Sequence, residues 1–183
     1  MRRLKKFFVG LLCIVLLASA AEARQSGEWR KVLAARTAPL WVDAQFLDEL
    51  VLNARARIDV TWLPRSLQRR LDKDREVDEW VVRGLSFYYS SDREAAVRMK
   101  GRDVIALNYR AQKSWTFDPT MLVIGGYAVV SEDLLGHPDL RVIGELPSGT
   151  SGTLFICVPA LKPGRRIHIS LGPDSADLEA PGR

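Results

Sequence analysis

Two side chains near the end of the chain, Cys157 and His168, have the chemical types of a nucleophile and its base. They lie in two runs of strand-forming residues, 153–158 and 166–171, which a turn-rich segment separates. A hairpin centred between residues 162 and 163 would place Cys157 opposite His168, within ~5.5 Å at Cβ, where an imidazole can support a thiolate. The same register pairs apolar residues on the other face: Leu154 with Leu171, Ile156 with Ile169, and Val158 with Ile167. Two hypotheses follow, a Cys157/His168 dyad of a thiol-dependent enzyme and an incomplete metal site.

The surroundings of Cys157 favour packing over chemistry. Strand residues flank it, and no glycine-rich turn exposes the sulfur or supplies an oxyanion hole. A metal ion would need three or four ligands, and His137 is the only other histidine. A single cysteine in a strand usually behaves as a small hydrophobic residue. We therefore expect no catalytic residue, no metal and no cofactor, and keep Cys157 with His168 as candidates for the alternative of a thiol-dependent enzyme.

Aromatic and polar side chains elsewhere suggest binding rather than catalysis. Tyr88, Tyr89 and Trp115 could line a ligand groove, since exposed aromatic residues often do, although core packing is the favoured interpretation. His137 lies in a loop beside glycine and proline, as a solvated turn residue does. Asp118 precedes a proline and is interpreted first as a turn former, and only second as an acid or a metal ligand. The sequence contains no nucleophile elbow, phosphate loop, dinucleotide fingerprint or zinc-protease helix.

The first 23 residues have the layout of an export signal. Four cations lie between residues 2 and 6, an apolar run extends from Phe7 to about Ala21, and small residues allow cleavage after Ala20 or Ala23. The run is shorter than the ~20 apolar residues that cross a bilayer. We therefore expect an exported protein, periplasmic or extracellular, which meets a membrane only if this segment stays uncleaved.

Composition and charge exclude several classes of protein. Hydrophobic residues make up 47% and charged residues 27% of the 183, which is typical of a globular chain rather than a disordered or collagen-like one. The chain has 27 Lys+Arg against 22 Asp+Glu; without the four cations of the signal, 23 against 22 leave a net charge of +1. Nucleic acid is not an expected partner, because such binding needs a clustered cationic surface. Cys13 lies within the signal, so the mature chain keeps one thiol and forms no internal disulfide.

The chain before residue 80 mixes strand and helix signals. Residues 40–42 and 58–63 read as short strands, the second ended by a proline. Between them, Asp43 is placed as the N-cap of a short helix with four apolar residues, Phe46, Leu47, Leu50 and Val51. Residues 64–79 interleave both charge signs, which predicts a solvated helix or loop with Leu67 and Leu71 facing inward. A docking surface for an anionic partner, such as a lipid headgroup or a cell-wall polymer, is the alternative for that segment.

From residue 80 onward the pattern is that of short strands between turns. Predicted strands are 80–82, 85–89, 96–99, 104–109, 115–117, 121–124, 127–130, 140–143, 153–158 and 166–171. Gly125-Gly126 gives the strongest hairpin signal. Residues 173–183 bury little, which predicts a flexible tail. The whole predicts a mainly β protein, an immunoglobulin-like antiparallel β-sandwich with a short N-terminal helical element.

Residues 104–171 carry a wider pattern. A strand ending at Asn108 leads to Trp115-Thr116-Phe117-Asp118-Pro119, and a Pro-Ser-Gly turn at 147–149 introduces a strand that ends in Val158-Pro159. This segment resembles the telokin-like, immunoglobulin-type domains of secreted bacterial proteins. The resemblance implies an immunoglobulin-like fold and export. Because those domains are largely of unknown function, it supplies no catalytic residues.

These observations lead to one expected organisation and function. The chain divides into a signal peptide (1–23), an N-terminal extension (24–79), the sandwich (80–172) and the tail (173–183); the extension either adds strands to the sandwich or forms a separate cap. The expected function is that of an exported, non-enzymatic binding or interaction module of the bacterial cell envelope. Its loops or an open strand edge would meet another envelope protein. The alternatives are the thiol-dependent enzyme and a structural subunit of a surface assembly.

Overall fold

Strands dominate the described chain. The structure, a computed structural model, describes residues 28–71, 80, 81, 97, 99–135 and 144–181. In chain order its helices and strands are α1 (residues 28–34), β1 (Thr37–Val42), β2 (Gln45–Leu47), β3 (Leu50–Leu52), β4 (Ala56–Leu63), α2 (Arg65–Leu71), β5 (Asp103–Ala111), β6 (Trp115–Phe117), β7 (Leu122–Ile124), β8 (Tyr127–Ala128), β9 (Leu134–Leu135), β10 (Gly144–Leu146), β11 (Ser151–Val158), β12 (Arg166–Leu171) and β13 (Asp174–Glu179). Single 3₁₀ turns precede β7 and β9. None of the described helices has the length and the apolar character needed to cross a membrane.

Two antiparallel sheets pack face to face, as in a β-sandwich. The larger sheet has the order β1-β4-β5-β11-β9, and the smaller one has the order β13-β12-β7-β8. Alternate residues of the central strands point into the space between them, among them Ile105, Leu107 and Ile156. Leu122 and Ile169 of the smaller sheet belong to the same buried cluster. The two remaining pairs, β6 with β10 and β2 with β3, form separate ribbons.

The outer face of the five-stranded sheet, which points away from the smaller sheet, has a second apolar cluster. Val104, Ala106, Phe155 and Cys157 alternate with the residues that face the sandwich core and are buried beneath a helical layer. That layer contributes Trp29 and Leu33 of α1, Leu67 of α2, Val81 and Met99. The central strands are therefore apolar on both faces at this end, which explains their nearly continuous hydrophobic runs.

The segment before residue 80 adds strands to the sandwich, which answers the question that the sequence left open. β4 pairs with β5 along eight residues, and β1 pairs with β4 along six. The helix predicted after Asp43 is wrong, because residues 45–52 form the β2–β3 hairpin. Asp43, Asp48 and Asn53 have φ values of 49°, 52° and 56°. Asp and Asn tolerate this left-handed conformation better than most residues, and it turns the chain where a helix would continue.

Two predicted strands between residues 80 and 99 are wrong wherever the structure describes them. Residues 80, 81, 97 and 99 are helical. Val81 and Met99 are buried against the outer face of the large sheet, so these residues cover the sheet instead of extending it. The predicted strands 85–89 and 140–143 and the signal peptide lie outside the described residues, as do residues 72–79 of the charged segment.

Most other strand predictions are confirmed, including 58–63, 104–109, 115–117, 153–158 and 166–171. The Gly125-Gly126 hairpin is also confirmed: both glycines have positive φ, 60° and 84°, between β7 and β8. The flexible tail is wrong for residues 174–179, which form β13 and pair with β12 along six residues. An edge strand needs only one apolar face, and the buried Leu178 and partly buried Ala176 supply it.

Candidate functional site

Cys157 and His168 do not meet. Cys157 lies opposite Val104 of β5, and His168 lies opposite Asp177 of β13. The predicted hairpin register is therefore wrong, because β11 and β12 belong to different sheets and each satisfies its apolar alternation with another partner. Ile156 and Ile169 both point into the sandwich core, so the neighbouring Cys157 and His168 face opposite sides of the sandwich. No acid–base or metal pairing of these two side chains is possible in this fold.

The surroundings of the two residues differ as well. Cys157 is fully buried in the second apolar cluster, between the outer face of the five-stranded sheet and the helical layer. His168 is exposed, and its Nδ1 is hydrogen-bonded to Asp177 Oδ1 at 2.9 Å. Across the described ranges, no group of three His, Cys, Asp or Glu side chains could hold a metal ion.

The other sequence candidates have structural roles or lie outside the described residues. Trp115 is buried in the sandwich core, where its ring stacks on Phe117 with centroids 4.7 Å apart. Asp118 accepts hydrogen bonds from the backbone N–H and the hydroxyl of Thr120, at 2.9 and 2.6 Å, so it caps the turn before β7. Tyr88, Tyr89 and His137 lie outside the described residues.

A partly buried ionic cluster joins Arg102, which precedes β5, to β8, β11 and the turn before β9. Arg102 donates to Asp133 Oδ1 at 2.8 Å and to the carbonyl of Cys157 at 2.9 Å, and Tyr127 donates to Asp133 Oδ2 at 2.8 Å. Burial alone would raise the pKa of Asp133, but hydrogen bonds from the Val130 N–H, Tyr127 and Arg102, with the charge of Arg102, lower that pKa below its ordinary value. Both oxygens of the carboxylate are used internally, so the cluster holds structure together.

The outer face of the five-stranded sheet has an open half beside its helix-covered half. A groove of about 940 Å³ lies there. We call it the outer-face groove, and its lining side chains on the strands are Trp41, Arg57, Asp59, Asn108, Arg110, Ser151 and Thr153. Trp80 stands at its boundary with the covered half and stacks on the buried Phe155, with ring centroids 6.4 Å apart. This volume is within the ~300–1,000 Å³ of ligand pockets.

Strand register assembles the groove from four separate strands. Trp41, Arg57, Arg110 and Ser151 are successive partners across β1, β4, β5 and β11. Asp59, Asn108 and Thr153 form the next row across three of those strands. Directly opposed residues point to the same face of a sheet. Side chains far apart in the sequence therefore form one continuous polar surface.

Contacts within the groove hold several of these side chains in place. The Arg57 guanidinium lies 5.1 Å from the ring centroid of Trp41 and donates to Asp59 Oδ1 at 2.8 Å. Thr153 Oγ1 donates to Asn108 Oδ1 at 2.6 Å. At the end of the groove, Ser148 Oγ donates to the carbonyl of Gln112 at 2.7 Å. The groove thus combines an aromatic ring, hydrogen-bonding groups and charges on a floor of paired strands.

Sequence reasoning missed this site, although a local signal exists. Polar residues interrupt otherwise apolar strands at alternate positions, in the pairs 57 and 59, 108 and 110, and 151 and 153. Alternation places each pair on one face of its strand. Only the register shows that the three pairs are neighbours, and the register is a long-range property of the fold.

A second exposed surface is the β2–β3 hairpin. Phe46, Leu47 and Leu50 are 64%, 60% and 62% exposed, which is unusual for three large apolar residues in one ribbon. Asp48 and Glu49 form the turn between the two strands. Leu47 and Leu50 are cross-strand partners on one face, and Phe46 lies on the other, so the hairpin exposes apolar side chains on both faces beside an acidic tip.

Comparisons with protein-family models, with curated proteins and with solved structures give no match for this chain. The resemblance of residues 104–171 to telokin-like domains thus stays a prediction.

Proposed function

We propose that this protein is an exported, non-enzymatic binding module of the bacterial cell envelope whose ligand occupies the outer-face groove. One observation carries the proposal. The central strands β4, β5 and β11 are apolar and covered by helices at one end of the outer face, yet polar and open at the other. An open polar concavity at one end of a sheet face, held by paired strands, can position several side chains against one ligand.

Stability alone does not account for the open half. Apolar residues there, under a longer helical layer, would bury further surface at about 25 cal/mol per Å². The chain instead has Arg57, Asp59, Asn108 and Arg110 on the neighbouring strands β4 and β5. Arg57 and Arg110 are exposed, and Asp59 and Asn108 are partly exposed. Ligand contact is a role that explains why polar groups occupy these positions.

Co-sedimentation with isolated bacterial envelope fragments tests the proposal. Arg57→Gln with Asn108→Ala removes one guanidinium and one amide from the groove, and we expect at least a ten-fold loss of envelope binding. The matched control is Arg166→Gln with Ser175→Ala on the exposed face of β12 and β13, which should bind like the wild type. Equal binding by the groove variant would refute the role of the groove.

The exported location is part of the proposal and is supported by the layout of residues 1–23. The test is the mass of the protein recovered from the periplasm or medium of a bacterial host that expresses the full chain. We expect an N-terminus at Ala21 or Arg24. An intact chain found only in the cytosol would contradict export.

The proposal also includes the immunoglobulin-like class of sandwich that the resemblance of residues 104–171 implies. Two antiparallel sheets that share one core support it. An experimental structure of the exported protein tests it through the strand order of both sheets. A strand order outside the immunoglobulin class would contradict the resemblance and leave the groove unaffected.

The exposed β2–β3 hairpin favours a second candidate function, docking of a partner protein of the envelope. Its apolar residues and acidic turn fit an apolar slot with a basic rim. A photo-crosslinking residue at Leu50 should give one specific adduct, and Asp48→Lys with Glu49→Lys should abolish it. The absence of any adduct, or an adduct that survives the charge reversal, would contradict this candidate.

A further inference from the structure

The outer-face groove contains two arginines directly opposite each other. Arg57 and Arg110 are cross-strand partners of β4 and β5, a position in which Cβ atoms lie ~4.5–5.5 Å apart. Like charges in this arrangement destabilise a sheet. Arg57 is paired with Asp59. Arg110 forms no ion pair in the part of the chain that the structure describes. Among the described lining residues, the groove therefore has one cation in excess.

The Arg57 guanidinium is also fixed before any ligand arrives. It stacks over Trp41, and it is bonded through both Nε and Nη2 to one oxygen of Asp59. A planar guanidinium held in this way loses little further freedom when it binds a carboxylate. Arg110 stands beside it on the open face, so the pair can hold one anionic group between them.

Further hydrogen-bonding groups, one carboxylate among them, surround this cationic pair. Asp59 bonds Arg57 through Oδ1, and Asn108 bonds Thr153 through Oδ1. Within the described residues, Asp59 Oδ2 and the Asn108 amide N–H groups make no other side-chain hydrogen bond, so they can serve a ligand. Ser151 is exposed beside Arg110. Acceptors and donors mixed at short spacing suit a ligand with many hydroxyl groups rather than a bare anion.

We propose that the outer-face groove binds an acidic glycan, with a uronate carboxylate on Arg57 and Arg110 and sugar hydroxyls on Asp59 and Asn108. This inference rests on the proposed binding function of the groove and names its ligand class. Trp41 and Trp80 border the groove and are partly exposed, although Arg57 lies over the Trp41 ring and Trp80 stacks on Phe155. The ring surface that stays exposed is apolar and of the kind that packs against sugar rings. The groove volume is that of a site for several linked units rather than for one small ion.

A peptide fits this surface less well. Peptides that bind sheets usually add a strand to a free edge, where main-chain hydrogen bonds provide the affinity. The floor of the groove is instead the face of β4, β5 and β11, each of which is paired on both sides along part of its length. At the groove, β4 and β5 are paired on both sides, so a ligand over them meets side chains. Residues 151–153 of β11 are paired with β5 alone among the described strands, and binding of hexaglutamate therefore tests the peptide directly.

Isothermal titration of the mature protein with three matched probes tests the ligand class. Hexagalacturonate should bind, its methyl ester should bind at least ten-fold more weakly, and hexaglutamate, which has the charge without the sugar, should also bind at least ten-fold more weakly. Equal binding of hexaglutamate would overturn the glycan in favour of a general anion or acidic-peptide surface. Equal binding of the methyl ester would overturn the role of the carboxylate.

Substitutions test whether hexagalacturonate binds in the outer-face groove. Arg110→Gln should weaken hexagalacturonate binding at least ten-fold and change binding of the methyl ester less than two-fold. Arg166→Gln, the same change on the opposite side of the sandwich, should leave both affinities unaltered. Unaltered hexagalacturonate binding by a folded Arg110→Gln variant would overturn the site.

The two proposals can fail separately. If no probe binds while envelope binding still depends on Arg57 and Asn108, the acidic glycan is wrong and the binding function stands. If hexagalacturonate binds through Arg110 while envelope binding ignores the groove, the ligand class stands and the envelope function is wrong.

Discussion

The outer face of the five-stranded sheet has two halves that share a backbone arrangement and differ in side-chain polarity and in exposure. The covered half has Val104, Ala106, Phe155 and Cys157 beneath a helical layer, and the open half is the outer-face groove. Both halves are built on the strands β4, β5 and β11, with the same registers and the same face. Side-chain type alone decides which half a helical layer can cover, because covering an unpaired polar group would cost free energy.

This difference separates stability from recognition within a single element. Substitutions in the covered half should lower the free energy of unfolding, since packed apolar volume is lost there. Substitutions in the open half should leave it nearly unchanged and alter binding instead.

The largest expected effect is that of Phe155→Ala in the covered half. Phe155 is almost fully buried, lies between the sheet and the helical layer, and stacks on Trp80. Loss of a buried phenyl ring should destabilise the protein by about 3–5 kcal/mol. Urea unfolding followed by tryptophan fluorescence measures this change. A loss below about 1 kcal/mol would mean that the helical layer does not pack on the sheet in solution.

The thiol of Cys157 tests the same half without a mutation. The side chain is fully buried, so alkylation requires at least local opening of the helical layer. We expect iodoacetamide to modify the native protein at least about 100-fold more slowly than the urea-unfolded chain, which corresponds to ~2.7 kcal/mol. Rapid modification of native protein at neutral pH would restore the thiol-dependent enzyme as a candidate.

Acid should weaken the Arg102–Asp133 ion pair, which connects the covered half to the turn before β9. The pKa of Asp133 is lowered in the folded protein, so this carboxylate stabilises the fold above its ordinary unfolded pKa of about 3.9, and the contribution disappears as pH falls through the folded value. Asp133→Asn should cost about 1–3 kcal/mol at pH 7, because it leaves Arg102 without its charge partner. Unfolding free energies at pH 7 and pH 2.5 should therefore differ less for the variant. An equal pH dependence would contradict this assignment.

Local sequence patterns predicted the positions of strands well, and they predicted the pairing between strands poorly. The spacing of Phe46, Leu47, Leu50 and Val51 fits one face of a helix and also fits a ribbon with Asp48 and Glu49 as its turn. Residues 174–179 look too polar for a strand until an edge position makes one apolar face sufficient.

Non-local pairing limited the prediction of the site. The alternation of apolar residues in β11 and β12 matches a hairpin between them. In the structure, β11 pairs with β5 and β12 pairs with β13, and both partners have a matching alternation. Arg57 and Arg110 became neighbours by the same long-range choice. Alternation tells which face a residue occupies, and only the complete fold tells what lies beside it.

The smallest expected effect has an informative sign. Arg110→Gln removes one of two directly opposed cations from an exposed position, so it should leave the free energy of unfolding unchanged or raise it by roughly 0.2–1 kcal/mol. Arg166 is the matched control: it lies 3.7 Å from both Asp177 and Glu179, so Arg166→Gln should be neutral or slightly destabilising. Urea unfolding at low salt measures the change in the free energy of unfolding for both variants.

Screening the charges should make the two variants converge, since the difference between them is electrostatic. If substitution of a residue raises the free energy of unfolding and also lowers ligand affinity, the residue serves binding rather than stability. If Arg110→Gln instead destabilises the protein as much as a buried substitution does, then Arg110 is part of the packing. The open half would then be a continuation of the covered half rather than its functional counterpart.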